Sequence, residues 1–507
     1  MVTRVSTVAL WGIDGFEVTV ECNCEKGLPE IAVIGLPDTS VKESIDRIRS
    51  AAENNSLPFV RNRTVINLAP ADVKKTGAYF DLPILISLLK HSVLDGISTD
   101  DDAFVGELSL GGELRGVDGA LAMTVAARRA GKKRIFLPSV NSKEASFVDG
   151  IEVYGINNLS ELINHLKGLE VKLPCMNSLS STAPISVPEV DFADIKGQEF
   201  AKRAMEIAAA GGHNILLIGP PGAGKSMLSK ALAGILPDMS YDEMVQTTNI
   251  HSIGKILPEN TPLVTRRPVR SPHHTVSNIG MVGGGASPNP GEVTLAHNGV
   301  LFLDELPEFD KKVLESLRQP LEDGEITVTR VGYKLTYPSK FMLVCAMNPC
   351  PCGFFGSTER LCNCTHSQVH RYISKISGPL LDRIDIQIEV PSVSYEEISD
   401  GEKGESSAEV KERVNRARAF RKERLEKLGI SDKSPESDKK EMCAFTRDAE
   451  EVMKKAFESL GLSARGYTRT IRVARTIADL DSSAEILPRH VYEAIRLRQL
   501  DKKYFNN

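Results

Sequence analysis

The stretch GPPGAGKS, residues 219–226, places three glycines, a lysine and a serine where a polyanion could be gripped. It fits G-x-x-x-x-G-K-[ST] without a mismatch. Gly219, Gly222 and Gly224, spaced by Pro220, Pro221 and Ala223, let the backbone wrap phosphate oxygens closely. Lys225 can reach the β- and γ-phosphates of ATP, and Ser226 can ligate Mg²⁺. Met227 leads into a helical pattern whose N-terminus adds partial positive charge. A glycine-rich turn with an incidental lysine is the alternative, but the flanking sequence opposes it. Ile215–Ile218 reads as a buried strand before the loop, and MLSKALAGIL has helical spacing after it.

Two further apolar runs end in polar groups suited to the same chemistry. VLFLDEL ends in Asp304, suited to hold Mg²⁺ directly or through water, and Glu305, suited to orient and activate an attacking water. KFMLVCAMN ends at Asn348, whose amide could position that water near the γ-phosphate. Asn at a strand end is also an ordinary turn residue.

The chain's nine cysteines are unevenly spread, with four inside NPCPCGFFGSTERLCNC, residues 348–364. Cys350 and Cys352 form one C-x-C pair, and Cys362 and Cys364 another. Four thiolates from two tight turns can complete a tetrahedral zinc site. The spacing is not the common C-x₂-C, so free thiols stay open as the alternative, with disulfides behind them. His366 and His370 are possible substitute ligands. Cys22 and Cys24 form a third C-x-C in a strand-like run, where alternation puts both on one face. No further ligands for that pair are evident from sequence, so packing is the expectation. Cys345 reads as core, and Cys175 and Cys443 as isolated.

These groups need rigid elements to hold them. Residues 1–165 alternate strand-like runs (EVTVEC, EIAVIGL, RTVINLAP) with helical ones, and 166–190 carries the Ser/Pro-rich composition of an exposed linker. A second α/β region spans 191–392, a charged helix and solvated linker 393–440, and a small helical domain 441–507. Length alone allows two to four domains. With 41% hydrophobic and 25% charged residues the composition is that of a globular chain, and the net charge of −5 gives no global sign of a nucleic-acid binder. No apolar run is long enough to span a bilayer and the first residues lack a signal-peptide core, so a cytoplasmic protein with reduced thiols is expected.

The separated strands resemble those of AAA+ ATPases. DIKGQEFAKRAMEIAAAGGHNILLIGPPGAGKS is similar to the start of that module, and GPLLDRIDI, residues 378–386, to its end. The resemblance implies that Ile195 and Gly197 lie near the adenine. It also implies that Arg383 reaches the γ-phosphate of a neighbouring subunit; an arginine paired with Asp382 or Asp385 is the alternative. SARGYTRTIRVARTIADL, residues 463–480, resembles the lid segment with the second sensor, which makes Arg465 the candidate and Arg469 and Arg472 near alternatives.

The region RSPHHTVSNIGMVGGGASPNPGEVTLAHNGVLFLDELPEF, with CPCG and LLDRIDI, resembles the YifB/ComM group of magnesium-chelatase-like AAA+ proteins over nearly the whole chain. That likeness implies a multidomain α/β fold: an S5/Lon-protease-like front domain, a P-loop parallel-sheet domain and a C-terminal helical lid. Protease chemistry needs a Ser and a Lys. The approximate positions hold Tyr79 and Leu121, and Lys74 and Lys75 lack a companion Ser. The resemblance further implies a homo-oligomer, a hexameric ring, moving on branched or single-stranded DNA as a branch-migration helicase in recombination or natural transformation. Arg266, Arg267 and Arg270 in RRPVRSPHHT could face DNA phosphates, or the stretch is a solvated loop in which His273 and His274 cap or pack. GMVGGGASPNPG, residues 280–291, is a pore loop or a simple connection. The rival readings are a chelatase subunit that inserts metal into a porphyrin, a protease-related regulator, and a protein that binds ATP without turnover.

Overall fold

The computed structural model describes residues 2–59, 62–176, 190–258, 261, 263–285, 289–330, 333–357, 360–393, 399, 404–430, 444–498, 500 and 504. Most of the expected linker, the solvated stretch after residue 430 and the centre of the glycine-rich stretch 280–291 lie outside them. The chain divides into two compact units, residues 1–184 with 241–265, and residues 185–240 with 266–507. The segment Tyr241–Thr265, which interrupts the expected second α/β region, therefore groups with the first unit.

The first unit is built on a seven-stranded mixed sheet. Its order is Glu30–Ile34, Arg63–Ala69, Asp14–Glu25, Val2–Trp11, Asp102–Phe104, Arg134–Pro138, Glu152–Ile156. Val2–Trp11 and Asp14–Glu25 pair antiparallel around a two-residue turn, where Gly12 takes φ 67°. Alternation along Asp14–Glu25 buries Val18, Val20 and Cys22 on one face. That face packs with Ile48 and Ala51 of the helix Thr39–Asn54 and with the wholly buried helix Asp81–Leu89. Asp38 caps the former helix by accepting from the Val41 amide at 2.9 Å.

The second unit holds a five-stranded, all-parallel sheet in the order Val269–Arg270, Val300–Leu303, Met342–Met347, Ile215–Ile218, Ile386–Glu389. Three of these strands are buried at every residue, as expected for strands covered on both faces. The helices Glu199–Gly211 and Lys225–Ile235, with Ser407–Lys427, Ala464–Leu480 and Pro488–Arg496, share one apolar core with the sheet. In chain order the sheet starts at Ile215–Ile218, runs outward and back on one side, then crosses to Ile386–Glu389 on the other. Direction reverses at the first strand, and such a switch point opens a crevice at the carboxyl ends of the strands. Among the described residues no helix is long and apolar enough to cross a membrane.

Candidate functional site

Three strand ends converge on that crevice. Pro221 to Met227, Asp304, Glu305, Met347 and Asn348 line a cleft of about 400 Å³. Gly219 leaves its strand where the Val390 carbonyl oxygen would lie 2.2 Å from any Cβ, so only glycine fits. Gly222 and Gly224 take φ of 81° and 79°, the left-handed turns that bring the loop into the helix Lys225–Ile235.

The Lys225 ammonium donates to the carbonyl oxygens of Gly219 (2.7 Å) and Pro220 (2.9 Å) and to Asn348 Oδ1 (3.1 Å). Burial lowers its pKa from the ordinary lysine value, and the Asp304 carboxylate opposes the shift. Ser226 Oγ donates to Asp304 Oδ2 at 2.7 Å, so a hydroxyl and a carboxylate from different strands meet at one point. These are hard oxygen donors of the kind Mg²⁺ takes, and their meeting in the cleft fits the ion.

Glu305 follows in the left-handed region at φ 52°, a strained setting for a residue with a side chain. Its amide donates to Asp304 Oδ1 at 2.9 Å, and its carboxylate lies 3.4 Å from His274 Nδ1. The His274 ring lies tilted against His273 at 4.0 Å and meets Phe309 edge-on. His274 thus borders Glu305, a contact between residues 31 apart that no local pattern discloses.

Gln198 was not singled out by sequence. It takes φ 56° and donates from Nε2 to the carbonyls of Ala223 (2.6 Å) and Pro391 (3.2 Å), bracing the loop from outside. Ile195 is buried in the core and neither it nor Gly197 lines the cleft; Gln198 is their link to it.

Asn214, just before the loop strand, ties the neighbouring strands together. Its side chain accepts from the Leu343 amide and donates to the Arg383 carbonyl, both at 2.8 Å, and its own carbonyl accepts from Asp385 and Ile386. Arg383 is 7% exposed. It donates to the Pro379 carbonyl at 2.6 Å and pairs with Glu322, not with Asp382 or Asp385. Arg465 is largely exposed, 3.8 Å from Asp382, while Arg469 is half-buried 3.7 Å from Asp385. Both lid arginines thus face the Arg383 segment rather than the cleft lining. Burial opposes ionisation of Asp385, but His213, Arg472 and Arg469 outweigh it and hold that carboxyl well below the usual range.

The cysteine-rich segment begins directly after Asn348. The sulfurs of Cys350, Cys352 and Cys362 are 3.3, 3.5 and 3.7 Å apart, and all four sulfurs, Cys364 included, lie within 4.8 Å of one another. A disulfide needs about 2.05 Å. Four sulfurs about 2.3 Å from a tetrahedral zinc stand about 3.8 Å apart, which the cluster matches. Burial opposes ionisation of Cys352, but amides of Phe354 and Asn363 and the thiols of Cys350 and Cys362 pull its pKa down to about 6. The Cys364 amide favours the Cys362 thiolate, yet desolvation and the neighbouring thiols push that group up to about 12. His366 and His370 stand exposed on the following helix, His366–Ile373, outside the cluster. The first cysteine turn closes with the Gly353 amide donating to Cys350 at φ 85°, and a Cβ on Gly353 would stand 2.5 Å from Pro221 Cδ. The turn therefore packs on the phosphate loop. Tyr372, in the next helix, hydrogen-bonds the Asn348 backbone.

Two of the basic residues expected to meet phosphates have internal partners. Arg267 donates to the carbonyls of Pro237, Asp238 and Asn298, and Arg270 forms a two-pronged pair with Glu292. Arg266 alone of the three is exposed. In the first unit, Tyr79 is half-buried with its hydroxyl accepting from the Leu10 amide, and Leu121 is fully buried. Lys75 is enclosed, its ammonium without a hydrogen-bond partner among the described residues.

Known families match most of this chain. Residues 191–398 match the family described as magnesium chelatase, subunit ChlI; residues 20–141 match subunit ChlI of Mg-chelatase, and residues 404–498 its C-terminal part. The chain is 41% identical over 498 residues to competence protein ComM of Haemophilus influenzae, covering 97% of this chain and 96% of that one. It is 42% identical over 501 residues to the protein YifB of Escherichia coli, covering 98% and 97%. The magnesium-chelatase 38 kDa subunit of Rhodobacter capsulatus is 28% identical over 182 residues, 32% of this chain and 51% of that one.

Proposed function

The chain belongs to the YifB/ComM group of magnesium-chelatase-like AAA+ ATPases, and on that premise we propose that it is an ATP-hydrolysing ring motor that moves branched DNA. The observation that carries the ATPase half is the convergence of Lys225, Ser226, Asp304, Glu305 and Asn348 on one cleft. Lys225 binds the β- and γ-phosphates, and Ser226 and Asp304 hold Mg²⁺. The ion, when bound, neutralises charge on the phosphates. Glu305 accepts the proton of the attacking water and Asn348 orients that water. Because the Lys225 ammonium now donates to Asn348, phosphate binding competes for it and frees the amide to face the water. Gln198, bonded to the loop at Ala223, carries the link from Ile195 and Gly197 toward the adenine end. Arg383 serves the neighbouring subunit's cleft, and Arg465 senses the nucleotide from the lid.

The DNA half rests on the near full-length likeness to competence protein ComM of Haemophilus influenzae. Identity favours it over porphyrin metallation, since the chain is 41% identical to ComM over 498 residues and 28% identical to the chelatase subunit over 182. Four-way and forked DNA are expected to raise ATP turnover, and ATP to drive strand exchange in them. Unchanged turnover and no binding at moderate salt would defeat the DNA half while leaving the ATPase half standing.

The four-cysteine cluster holds structural zinc that stiffens the path from Asn348 and the phosphate loop toward Arg383. Its sulfur spacing and its packing on Pro221 support this. Cys350→Ser/Cys362→Ser is expected to lose this zinc, lower the melting temperature by about 5 °C or more and reduce ATP turnover. A cluster free of metal in the wild type, with unchanged melting and turnover in the variant, removes the idea.

A further inference from the structure

Cys22 and Cys24, 67 or more residues from their nearest other metal-ligating partner in the chain, acquire one in the fold. The helix Asp81–Leu89 lies under the face of Asp14–Glu25 that carries them, and the turn after it delivers His91. One ring nitrogen of His91 and the sulfurs of Cys22 and Cys24 all lie within 4.8 Å of one another. We propose that these three residues form a second metal site, a Cys₂His centre for one zinc ion.

The donors and their surroundings select the ion. Two thiolates and one imidazole suit a borderline-soft cation and exclude Mg²⁺ and Ca²⁺. Cys22 is fully buried among apolar side chains. An isolated thiolate is costly there, whereas two thiolates with a divalent cation make a neutral group. A monovalent copper ion would leave a net negative charge in the same place.

Tetrahedral zinc bonds of about 2.3 Å to sulfur and about 2.0 Å to nitrogen put ligand atoms about 3.5–3.8 Å apart. Small side-chain rotations therefore close the site from its present spacing. His91 Nε2 stands 3.3 Å from the Thr3 hydroxyl and 3.4 Å from the Cys22 carbonyl oxygen, long contacts that hold the ring beside the sulfurs. Thr64, buried on the adjacent strand, places its hydroxyl 3.5 Å from Cys24 Sγ, the outer contact that metal-bound sulfur usually has. Cys24 and His91 are partly exposed, so the fourth position faces solvent and takes water. The ion pins the strand Asp14–Glu25 to the end of the buried helix.

The test titrates the chelator-stripped full chain with Co²⁺ under reducing conditions, following the thiolate-to-cobalt absorption and counting bound equivalents. The wild type is expected to bind two. Cys24→Ser/His91→Gln and Cys350→Ser/Cys362→Ser are each expected to bind one, losing different equivalents. His91→Gln alone, at a partly exposed position, keeps the test open if the double variant does not fold; it is expected to weaken one equivalent at least about tenfold. If the wild type binds a single ion that vanishes with Cys24 and His91, this site stands and the four-cysteine zinc falls. If that ion vanishes only with Cys350 and Cys362, or if no cobalt binds, the Cys₂His site is overturned.

Discussion

Glu305→Gln is expected to lower ATP turnover by about 10²–10⁴-fold while leaving nucleotide binding nearly intact. The substitution keeps the size of the side chain and removes only its ability to accept a proton. Glu305 is the cleft carboxylate best placed for that task, because the other one, Asp304, is bonded to Ser226 and to the Glu305 amide. The backbone should tolerate the change, since the left-handed conformation at φ 52° is already adopted by a side chain of this shape. Titrating a fluorescent ATP analogue separates binding from turnover. Equal steady-state turnover in variant and wild type would remove Glu305 from the chemistry. His274, 3.4 Å away, offers a graded companion: His274→Ala should change turnover by less than the loss of the carboxylate itself.

Arg383→Ala is expected to lower turnover by about 10³–10⁵-fold, the range measured for an arginine that stabilises phosphoryl-transfer charge. The fold should survive. Arg383 pairs with Glu322, whose carboxylate is already 57% exposed and can be rehydrated. The Pro379 carbonyl loses one donor, a cost of about 1–3 kcal/mol. Burial of the arginine against Glu322 means that it must leave this partner to act on a neighbouring cleft. Mixing separates the two readings. Arg383→Ala and Glu305→Gln subunits are each inactive alone, but in a mixed ring an Arg383→Ala cleft with its own Glu305 can face an intact Arg383 from the other subunit. Recovered turnover on mixing is the expected result. No recovery, with mixed assemblies verified, would mean that Arg383 acts within its own chain as the partner of Glu322.

The phosphate loop, the acid pair and Asn348 were legible because each is written in one contiguous stretch: an apolar run long enough for a strand, then the functional residue at its end. The parallel sheet was implied by the family resemblance, and the same runs, which carry no polar alternation, are those of strands covered on both faces. Contacts across the chain were not legible. Arg267 and Arg270 looked available for phosphates, but their partners are carbonyls and a carboxylate some twenty to thirty residues away. Gln198 braces the loop only because a left-handed turn aims it there. Cys22 and Cys24 read as packing because the third donor, His91, comes from a turn that only the fold brings near. Arg383 was legible as a residue by its family resemblance, while its partner Glu322 was not.

The excursion Tyr241–Thr265 changes what a domain boundary means in this chain. The polypeptide leaves the nucleotide-binding unit soon after the helix Lys225–Ile235, contributes Leu263 and the helix Tyr241–Ile253 to the first unit's packing around Leu121, Phe147 and Val148, and returns. The two units are thus joined by three covalent crossings, at 184–185, 240–241 and 265–266. A single proteolytic nick in the Ser/Pro-rich linker leaves them tethered. A fragment begun after that linker would carry an orphaned segment with its apolar side uncovered, prone to aggregation. Inheritance follows the same rule: recombination at the linker cannot exchange one unit for another, so front domain and motor are expected to have diverged as a single heritable piece.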